Sequence, residues 1–232
     1  RRADALRSIG YAIVNRRLAR LARGADAPFR GASFGTGDIF EAARISSLSV
    51  SSADGEWKKG VLAAVREVNQ AVTYGFTRAE LDEQLANIRT NLENAVKSAD
   101  TRGNNVFVNA ALALASDERI PTTPQFSLDL FEQIAPSVTP EAVWQALRED
   151  AAPLVDPLIR FEGRTAPEGG EAALRAAFHE GMALAIAAPV DNGPLAFGYS
   201  DFGPAGTVVS DTVEPRLGLR HIRFANGVRL TL

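Results

Sequence analysis

Residues 74–95 read YGFTRAELDEQLANIRTNLENA, and their opening part marks the boundary between two amphipathic helices. Gly75 is expected to end the first helix, because glycine readily adopts the left-handed conformation that follows many helix C-termini. Thr77 and Glu80 have the spacing of a capping box, in which each side chain bonds the backbone N–H of the other residue. The segment therefore predicts two antiparallel helices joined by a tight turn.

Apolar residues repeat every three or four positions on both sides of Gly75, which is the spacing of one helix face. After the turn they are Leu81, Leu85, Ile88 and Leu92; before it, in a helix that starts near Trp57, they are Val61, Leu62, Val65, Val68 and Val72. Two such stripes need an apolar layer beneath them. We expect that layer to be a β-sheet, which gives an α+β fold with helices packed on one face of a mostly antiparallel sheet.

The composition of the 232 residues limits the classes of function. The net charge of −3 provides no overall field that would attract nucleic acid or an anionic membrane. Cysteine is absent, which excludes disulfides, thiolate nucleophiles and thiolate metal ligands. No apolar run reaches the roughly 20 residues of a membrane-spanning helix. Arg1 lies inside a predicted helix and Leu232 inside a predicted strand, so we expect the chain to be a piece of a longer protein.

A helix predicted over residues 4–23 has a strongly basic second half, with Arg16, Arg17, Arg20 and Arg23. One interpretation is a helix that binds nucleic acid or a membrane surface. The alternative, which we favour, is that arginines near a helix C-terminus complement the helix dipole and are solvated. We favour it because no further basic cluster with aromatic residues extends the patch.

Residues 28–50 change to a glycine-rich, partly alternating pattern that predicts β-strands. Residues 35–38 are expected to form the turn between two strands, or a loop within a longer excursion. The remaining predicted elements are helices over residues 104–115, 128–134, 140 to before 153, and 171–188, and a strand over residues 158–162.

Residues 189–218 differ in kind from the rest, because they contain many glycines and prolines without periodicity. This pattern predicts an extended linker, which the aromatic residues Phe197, Tyr199 and Phe202 would hold against a surface.

A β-hairpin is predicted at the C-terminal end, because Asn226-Gly227 between two apolar runs is a strong hairpin signal. We therefore divide the chain into a helix-and-sheet unit over residues 1–188, a linker over 189–218, and a hairpin over 219–232 that begins a new folding unit.

The order of three motifs resembles that of a known family. The motif G-F-T-x-x-E-L at residues 75–81, followed by a long amphipathic helix, is similar to the C-terminal subdomain of the pitrilysin/insulinase-like zinc peptidases, the H-x-x-E-H or inverzincin group. Residues 17–32, in which R-L-x-x-L leads to A-P-F-x-G-A, resemble the helix-to-strand passage before that subdomain. Residues 221–230, H-x-R-F-A-N-G-V-R-L, resemble the opening hairpin of the next repeat.

The resemblance implies a large peptidase whose homologous α/β repeats surround a closed chamber. Zinc and the general-base glutamate would lie in the catalytic repeat, and this chain would be a non-catalytic repeat that encloses peptide, followed by the linker between the two halves. The implied partners are a peptide substrate and the catalytic repeat of the same parent chain or of a partner subunit, and not nucleic acid. Exposed strand edges at residues 219–232 are a candidate interface for a homodimer. The resemblance to this family makes the periplasm of Gram-negative bacteria the expected compartment.

The residues support no catalytic or cofactor site in this chain. It has two histidines, His179 and His221, and no H-x-x-E-H sequence. Residues 179–183, HEGMA, begin like the reversed zinc motif H-E-x-x-H, but Ala183 stands where the second histidine ligand is required. We therefore expect no zinc ligand in this chain and zinc only in the catalytic repeat.

Two residues are candidates for contacts in the chamber wall. In active copies, the resemblance implies an arginine and a tyrosine near the helix-to-strand passage that stabilise the transition state. Arg23 corresponds loosely to the arginine, whereas Phe29 stands at the tyrosine position and has no hydroxyl to donate to an oxyanion. We therefore expect an architectural repeat. Glu80 and Glu83 lie on a helix face that is predicted to be exposed, and we expect these carboxylates to be solvated.

We favour a non-catalytic repeat of a zinc peptidase, inactive by itself. The first alternative is a scaffolding protein that pairs with an active partner. The second is a module that binds nucleic acid or a membrane surface through the arginine-rich helix, which would show binding that weakens with salt and is lost on replacing Arg16, Arg17 and Arg20.

Overall fold

The computed structural model describes residues 2–39, 42–117, 120–152, 154–191, 193, 201 and 203–232. The chain divides into two compact units, Arg1–Gly193 and Pro194–Leu232, and each unit is described by itself.

The first unit is formed by helices and one antiparallel β-hairpin. In chain order the described elements are α1 (Arg2–Ala22), β1 (Gly31–Ile39), β2 (Ala43–Ser51), α2 (Trp57–Tyr74), α3 (Arg78–Lys97), α4 (Asn104–Asp117), α5 (Pro124–Ile134), α6 (Pro140–Asp150) and α7 (Gly170–Ala183). The class is α+β, as the patterning predicts.

Helix α1 lies at the centre of the first unit. Its side chains Ile13, Val14 and Leu18 are at most 1% exposed and belong to the main apolar cluster. It contacts α2, α3, α6 and β1, whereas α2 also covers β2 and α7, and α3 also packs on α5. Of the two helices joined at Gly75, α2 packs on strand β2 and both pack on α1, a role for α1 that the two apolar stripes did not reveal.

Strands β1 and β2 form a regular antiparallel ladder, with Gly31 opposite Ser51 and Ile39 opposite Ala43. Residues 35–38 pair with residues 44–47 inside this ladder, so the prediction of a turn or loop there was wrong. The glycines alternate with Phe34, whose ring is buried, and Thr36, whose hydroxyl is hydrogen-bonded across the unit. These two side chains anchor the strand in spite of the glycines between them.

The structure corrects two predictions in the middle of the chain, a strand over residues 158–162 and the start of helix α5. Residues 158–162 are irregular rather than a strand, and Leu158 is 96% exposed. Within the described ranges no neighbouring strand pairs with this segment, so its alternating side chains have no sheet to join. Helix α5 begins at Pro124, earlier than predicted, because the Thr123 hydroxyl accepts a hydrogen bond from the Phe126 N–H and caps it.

Helix α7 ends at Ala183, short of the predicted end at residue 188. The following segment is held along α2, because the Arg66 Nε donates to the Ala185 carbonyl oxygen at 3.1 Å and the Gln70 Nε2 donates to the Ala187 carbonyl oxygen at 2.7 Å. Alanine-rich composition predicted more helix than forms, because side chains of α2 bond these carbonyl groups in a non-helical conformation.

The second unit contains a three-stranded antiparallel sheet in the order β3 (Val208–Glu214), β4 (Leu219–Phe224) and β5 (Arg229–Thr231). Strand β3 falls within residues 189–218, so the end of the predicted linker is a strand. Phe197, Tyr199 and Phe202 lie outside the described residues. Strands β3 and β5 are at the edges of the sheet, and a homodimer through such edges stays a prediction.

The turn predicted at Asn226-Gly227 is present between β4 and β5. Gly227 has φ of 87°, and its N–H donates to the Phe224 carbonyl oxygen at 3.0 Å. The Asn226 side-chain oxygen accepts from the Val228 N–H at 3.1 Å. Both residues therefore have the structural role that the hairpin signal assigns to them.

Across the described ranges, no helix combines the length and the apolar character that crossing a membrane requires.

Candidate functional site

Arg17 on α1 is the centre of a buried ionic cluster. Its Nε and Nη2 donate to the two carboxylate oxygens of Glu80 at 2.6 and 2.8 Å, and Nη2 also donates to the Gly75 carbonyl oxygen at 3.0 Å. The Arg17 side chain is 8% exposed and the Glu80 side chain 14%. The guanidinium carbon lies 5.5 Å from the centre of the Phe76 ring. Arg17 thereby fixes α1 to the turn between α2 and α3.

A second carboxylate, Glu67 on α2, completes this cluster, with its Oε1 3.6 Å from the Arg17 Nη1. Burial raises the pKa of Glu67. Burial acts in the same direction on Glu80, but hydrogen bonds from Arg17 and from the Thr77 backbone N–H outweigh it, so the pKa of Glu80 lies below its ordinary value. The two glutamates therefore share one guanidinium unequally, and Glu80 holds the stronger part of the interaction.

The turn features predicted from sequence are present at the edge of this cluster. The Thr77 hydroxyl accepts from the Glu80 N–H at 3.2 Å, and the Glu80 carboxylate accepts from the Thr77 N–H at 2.9 Å. Gly75 has φ of 74°, and a Cβ atom there would lie 2.9 Å from Cγ of Trp144. Glu80 is thus a helix cap and an ion-pair partner at once, which corrects the expectation of a solvated carboxylate.

Three of the four arginines at residues 16–23 form ion pairs with acidic residues of α3. The Arg16 Nε donates to the Glu83 carboxylate at 2.8 Å, and the Arg20 Nη2 lies 3.6 Å from Glu80. Arg17 is buried, which corrects the expectation that it is solvated, whereas Arg16 and Glu83 pair with each other and remain 40% and 37% exposed. The ion pairs also reduce the free positive charge that a nucleic-acid or membrane surface on this helix would require.

A second polar cluster surrounds Asp150, the last residue of α6. Its Oδ2 accepts hydrogen bonds from the Tyr11 hydroxyl at 2.9 Å and from the Thr36 hydroxyl at 2.7 Å. Its Oδ1 lies 2.9 Å from Nη1 of Arg7 and 2.8 Å from Nη2 of Arg44. The Asp150 side chain is 2% exposed. One carboxylate therefore joins α1, β1, β2 and α6.

Both ionisable groups at the centre of the Asp150 cluster have displaced pKa values. Burial alone would raise the pKa of Asp150, but the hydrogen bonds from Thr36, Arg44 and Tyr11 lower it to about 2. Burial, together with the neighbouring Asp150 charge, raises the pKa of Tyr11 to about 12. At neutral pH the cluster thus holds a charged carboxylate and a neutral phenol.

The sequence contained one signal for this cluster. Asp150 ends a helix, where the partial negative charge of the unpaired carbonyl groups disfavours a carboxylate. A carboxylate in that position, if buried, requires cationic or hydroxyl donors from elsewhere in the fold. The identity of those donors was not predictable, because Tyr11 and Thr36 are 139 and 114 residues away in the chain.

The two candidate contacts with peptide lie in different environments. Arg23 is exposed, directly after the end of α1. The Phe29 ring is 3% exposed and belongs to the main apolar cluster. Phe29 is therefore described as a core residue, and contact with peptide stays a prediction for Arg23.

The two histidines lie on different elements, α7 and β4. His179 is exposed on α7, its ring in contact with that of Phe178, and the adjacent Glu180 forms an ion pair with Lys58 at 2.8 Å. His221 lies on β4 in the second unit, with its Nδ1 3.1 Å from the Thr231 hydroxyl. In the part of the chain that the structure describes, no three His, Cys, Asp or Glu side chains are grouped so that they could hold a metal ion. These residues do not fit a zinc centre.

Almost the whole chain is similar in structure to parts of solved proteases. The periplasmic protease PqqL from Escherichia coli matches 99% of the chain, with a TM-score of 0.63 and 20% identity, and the match takes up 26% of PqqL. The first half of PqqL, solved separately, matches 81% of the chain over 41% of its own length, with a TM-score of 0.60 and 19% identity.

Two further proteases share the fold at lower identity. A mutant of the ferredoxin protease FusC, in complex with Arabidopsis ferredoxin, matches 99% of the chain over 26% of its own length, with a TM-score of 0.52 and 13% identity. A predicted insulinase family protease from Yersinia pestis matches 78% of the chain over 38% of its own length, with a TM-score of 0.53 and 12% identity. The chain has the fold of pitrilysin/insulinase-like peptidases.

The fold similarity has defined limits. The chain spans about a quarter of the length of PqqL and FusC. No family model and no curated protein matches its sequence. The insulinase-like fold is therefore established by structure, and the activity of a longer protein containing it is a separate question.

Proposed function

We propose that this chain is a non-catalytic repeat of a zinc-dependent peptidase and forms part of the wall that encloses peptide substrates. The observation that carries the proposal is the match of 99% of the chain to a quarter of the protease PqqL. The absence of H-x-x-E-H from the 232 residues supports a repeat without the catalytic zinc, which the catalytic repeat would hold.

The two matches to PqqL support a position in such a peptidase. The first half of PqqL matches 81% of the chain, whereas the whole of PqqL matches 99%. This difference favours a chain whose main part lies at the end of a first half and whose remainder extends beyond it. The linker between halves and the first strands of the next repeat then correspond to the segment after residue 188.

The neighbours support the proposed partners and compartment. PqqL is a periplasmic protease, and FusC was solved in complex with a protein, ferredoxin. We propose by analogy that this chain encloses an unfolded protein or peptide, in the periplasm, together with the catalytic repeat of the same parent chain or a partner subunit.

The two polar clusters have a mechanical role in this proposal. A wall must hold its shape while peptide binds, and Arg17 and Asp150 tie α1 to α3, β1, β2 and α6 by directional bonds. Buried ion pairs add little net stability but fix the relative positions of the elements that they join. In this proposal the chain's own residues position the wall, and bond cleavage belongs to the catalytic repeat.

The proposal is tested by supplying a catalytic repeat. The chain alone, and the chain with a repeat that carries H-x-x-E-H from the same parent, are incubated with a fluorogenic unfolded peptide. We expect hydrolysis only in the mixture and its loss with a chelator. Hydrolysis by the chain alone, abolished by a chelator, would overturn the proposal. Activity restored only by a separately encoded catalytic subunit would instead support the scaffolding alternative.

A further inference from the structure

The three-stranded sheet of the second unit has one face that is mainly polar. Cross-strand pairing places Ser210, Arg223 and Arg229 in one row, and Thr212, His221 and Thr231 in the next. Residues in register on neighbouring strands point to the same face of a sheet. The contact between the His221 ring and the Thr231 hydroxyl shows that this row does so.

The opposite face of the same sheet is more apolar. Ile222 is opposite both Asp211 and Leu230, so these side chains share that face with Phe224, two residues further along β4. The arginine on that face, Arg220, is neutralised, because its Nε and Nη2 donate to the two carboxylate oxygens of Asp211 at 2.8 and 2.5 Å.

Arg223 and Arg229 differ from Arg220 in having no ion pair with any described residue. They are directly opposite each other on β4 and β5, and both are exposed. Like charges in directly opposite positions destabilise a sheet, because the two side chains start about 5 Å apart at their Cβ atoms. A negative group between the two guanidinium groups would relieve this repulsion and bind both of them.

We propose that the polar face of this sheet binds acidic segments of an extended peptide, with Arg223 and Arg229 receiving a carboxylate and the row of Thr212, His221 and Thr231 lying beside the peptide. This inference rests on the proposed function and deepens it, because it names the class of peptide that this part of the wall prefers.

The chemistry of the face favours an acidic peptide over a polyanion. Two arginines without an ion pair among the described residues match one or two carboxylates, whereas nucleic acid requires a longer basic surface that follows several phosphates. The hydroxyl groups of Ser210, in the same row, and of Thr212 and Thr231, in the next row, provide donors for further carboxylate or amide oxygens. Guanidinium groups bind carboxylates in a planar, two-point geometry that an ammonium group does not reproduce.

The test compares three unstructured, dye-labelled peptides of equal length binding to the whole chain. One contains several glutamates, the second has glutamine in their place, and the third has lysine. Fluorescence anisotropy at low salt gives the affinities. The variants are R223Q/R229Q, the charge-retaining R223K/R229K, and the control R216Q, which removes one exposed arginine from the turn before β4. Circular dichroism verifies that each variant keeps its fold.

We expect the acidic peptide to bind the native chain about fivefold or more tightly than the glutamine peptide, since each exposed pair contributes up to about 1 kcal/mol. R223Q/R229Q should remove this preference, R223K/R229K should reduce it, and R216Q should retain it. Added salt should weaken the acidic peptide most.

Three results would overturn the inference. The acidic and glutamine peptides bind the native chain equally, R216Q has the same effect as R223Q/R229Q, or inorganic phosphate at equal concentration displaces the acidic peptide completely, which would indicate a simple anion site. Equal binding of the first two peptides leaves the proposed function intact. Failure of all three peptides to bind counts against the inference and the proposed function together.

Discussion

Arg17 on α1 and Glu80 on α3 form a two-point ion pair, with N–O distances of 2.6 and 2.8 Å and both side chains largely buried. Arg17→Met would leave the largely buried Glu80 and Glu67 carboxylates without their buried counter-ion, with only the exposed Arg20, among the described residues, near Glu80. We expect a loss of about 3 kcal/mol in the free energy of unfolding, because a buried charge whose partner has been removed keeps its desolvation cost without a compensating attraction. Urea denaturation at neutral pH measures this loss.

The matched control is the exposed ion pair Arg78–Asp82, which lies on α3, the helix that carries Glu80. Arg78→Met should change the free energy of unfolding by no more than about 0.5 kcal/mol, because solvent screens an exposed pair. Equal losses in the two variants would show that the Arg17 cluster does not fix α1.

Asp150 predicts a specific loss of stability in acid. The pKa of Asp150 is lowered from 3.8 to about 2 in the folded chain. The charged carboxylate therefore stabilises the fold at every pH above the pKa that Asp150 has in the unfolded chain. This contribution, about 2 kcal/mol, is lost as pH falls from about 4 through about 2. Asp150→Asn should be less stable at neutral pH and should lose this part of the acid dependence. Thermal unfolding between pH 2 and 7 measures it, with Asp129→Asn, on an exposed part of α5, as control.

Gly75 is predicted to be intolerant of any side chain. Its φ of 74° is unfavourable for other residues, and a Cβ atom would lie 2.9 Å from the Trp144 ring. Gly75→Ala should lower the free energy of unfolding by about 2 kcal/mol or more. Gly35→Ala should cost much less, because Gly35 lies in a strand with ordinary φ and no atom near its Cβ position. Comparable costs in denaturation experiments would contradict the account of the α2–α3 turn.

Helix α4 presents apolar side chains at the surface rather than in the hydrophobic core. Phe107, Val108 and Leu112 are 55%, 56% and 61% exposed. Phe107→Gln/Leu112→Gln should therefore change the free energy of unfolding by about 0.5 kcal/mol or less, while reducing the binding of a hydrophobic dye. A loss of several kcal/mol would show that α4 packs inward.

Local signals predicted the parts of the fold that depend on neighbouring residues. The Gly75 turn, the Thr77–Glu80 capping box and the Asn226-Gly227 hairpin are set by hydrogen bonds within a few residues, and all are present. Residues 35–38 were misassigned because Thr36 is anchored by donating its hydroxyl hydrogen bond to Asp150, which lies 114 residues further along the chain.

The partners within the two polar clusters could not be predicted from the sequence, for a physical reason. Apolar periodicity records which face of a helix is covered, but it does not record what covers a polar residue on that face. Arg17 and Glu80 are 63 residues apart, and each is a typical surface residue by type. Their burial follows from the packing of α1 against the α2–α3 turn, which no single segment encodes.

The central claim is that this chain contributes a wall and not a zinc site, and a zinc titration of the purified chain tests it most directly. Isothermal calorimetry should detect no stoichiometric binding of zinc, and His179→Ala should give the same result. One equivalent of zinc that remains after dialysis, and that is lost in His179→Ala, would contradict the claim.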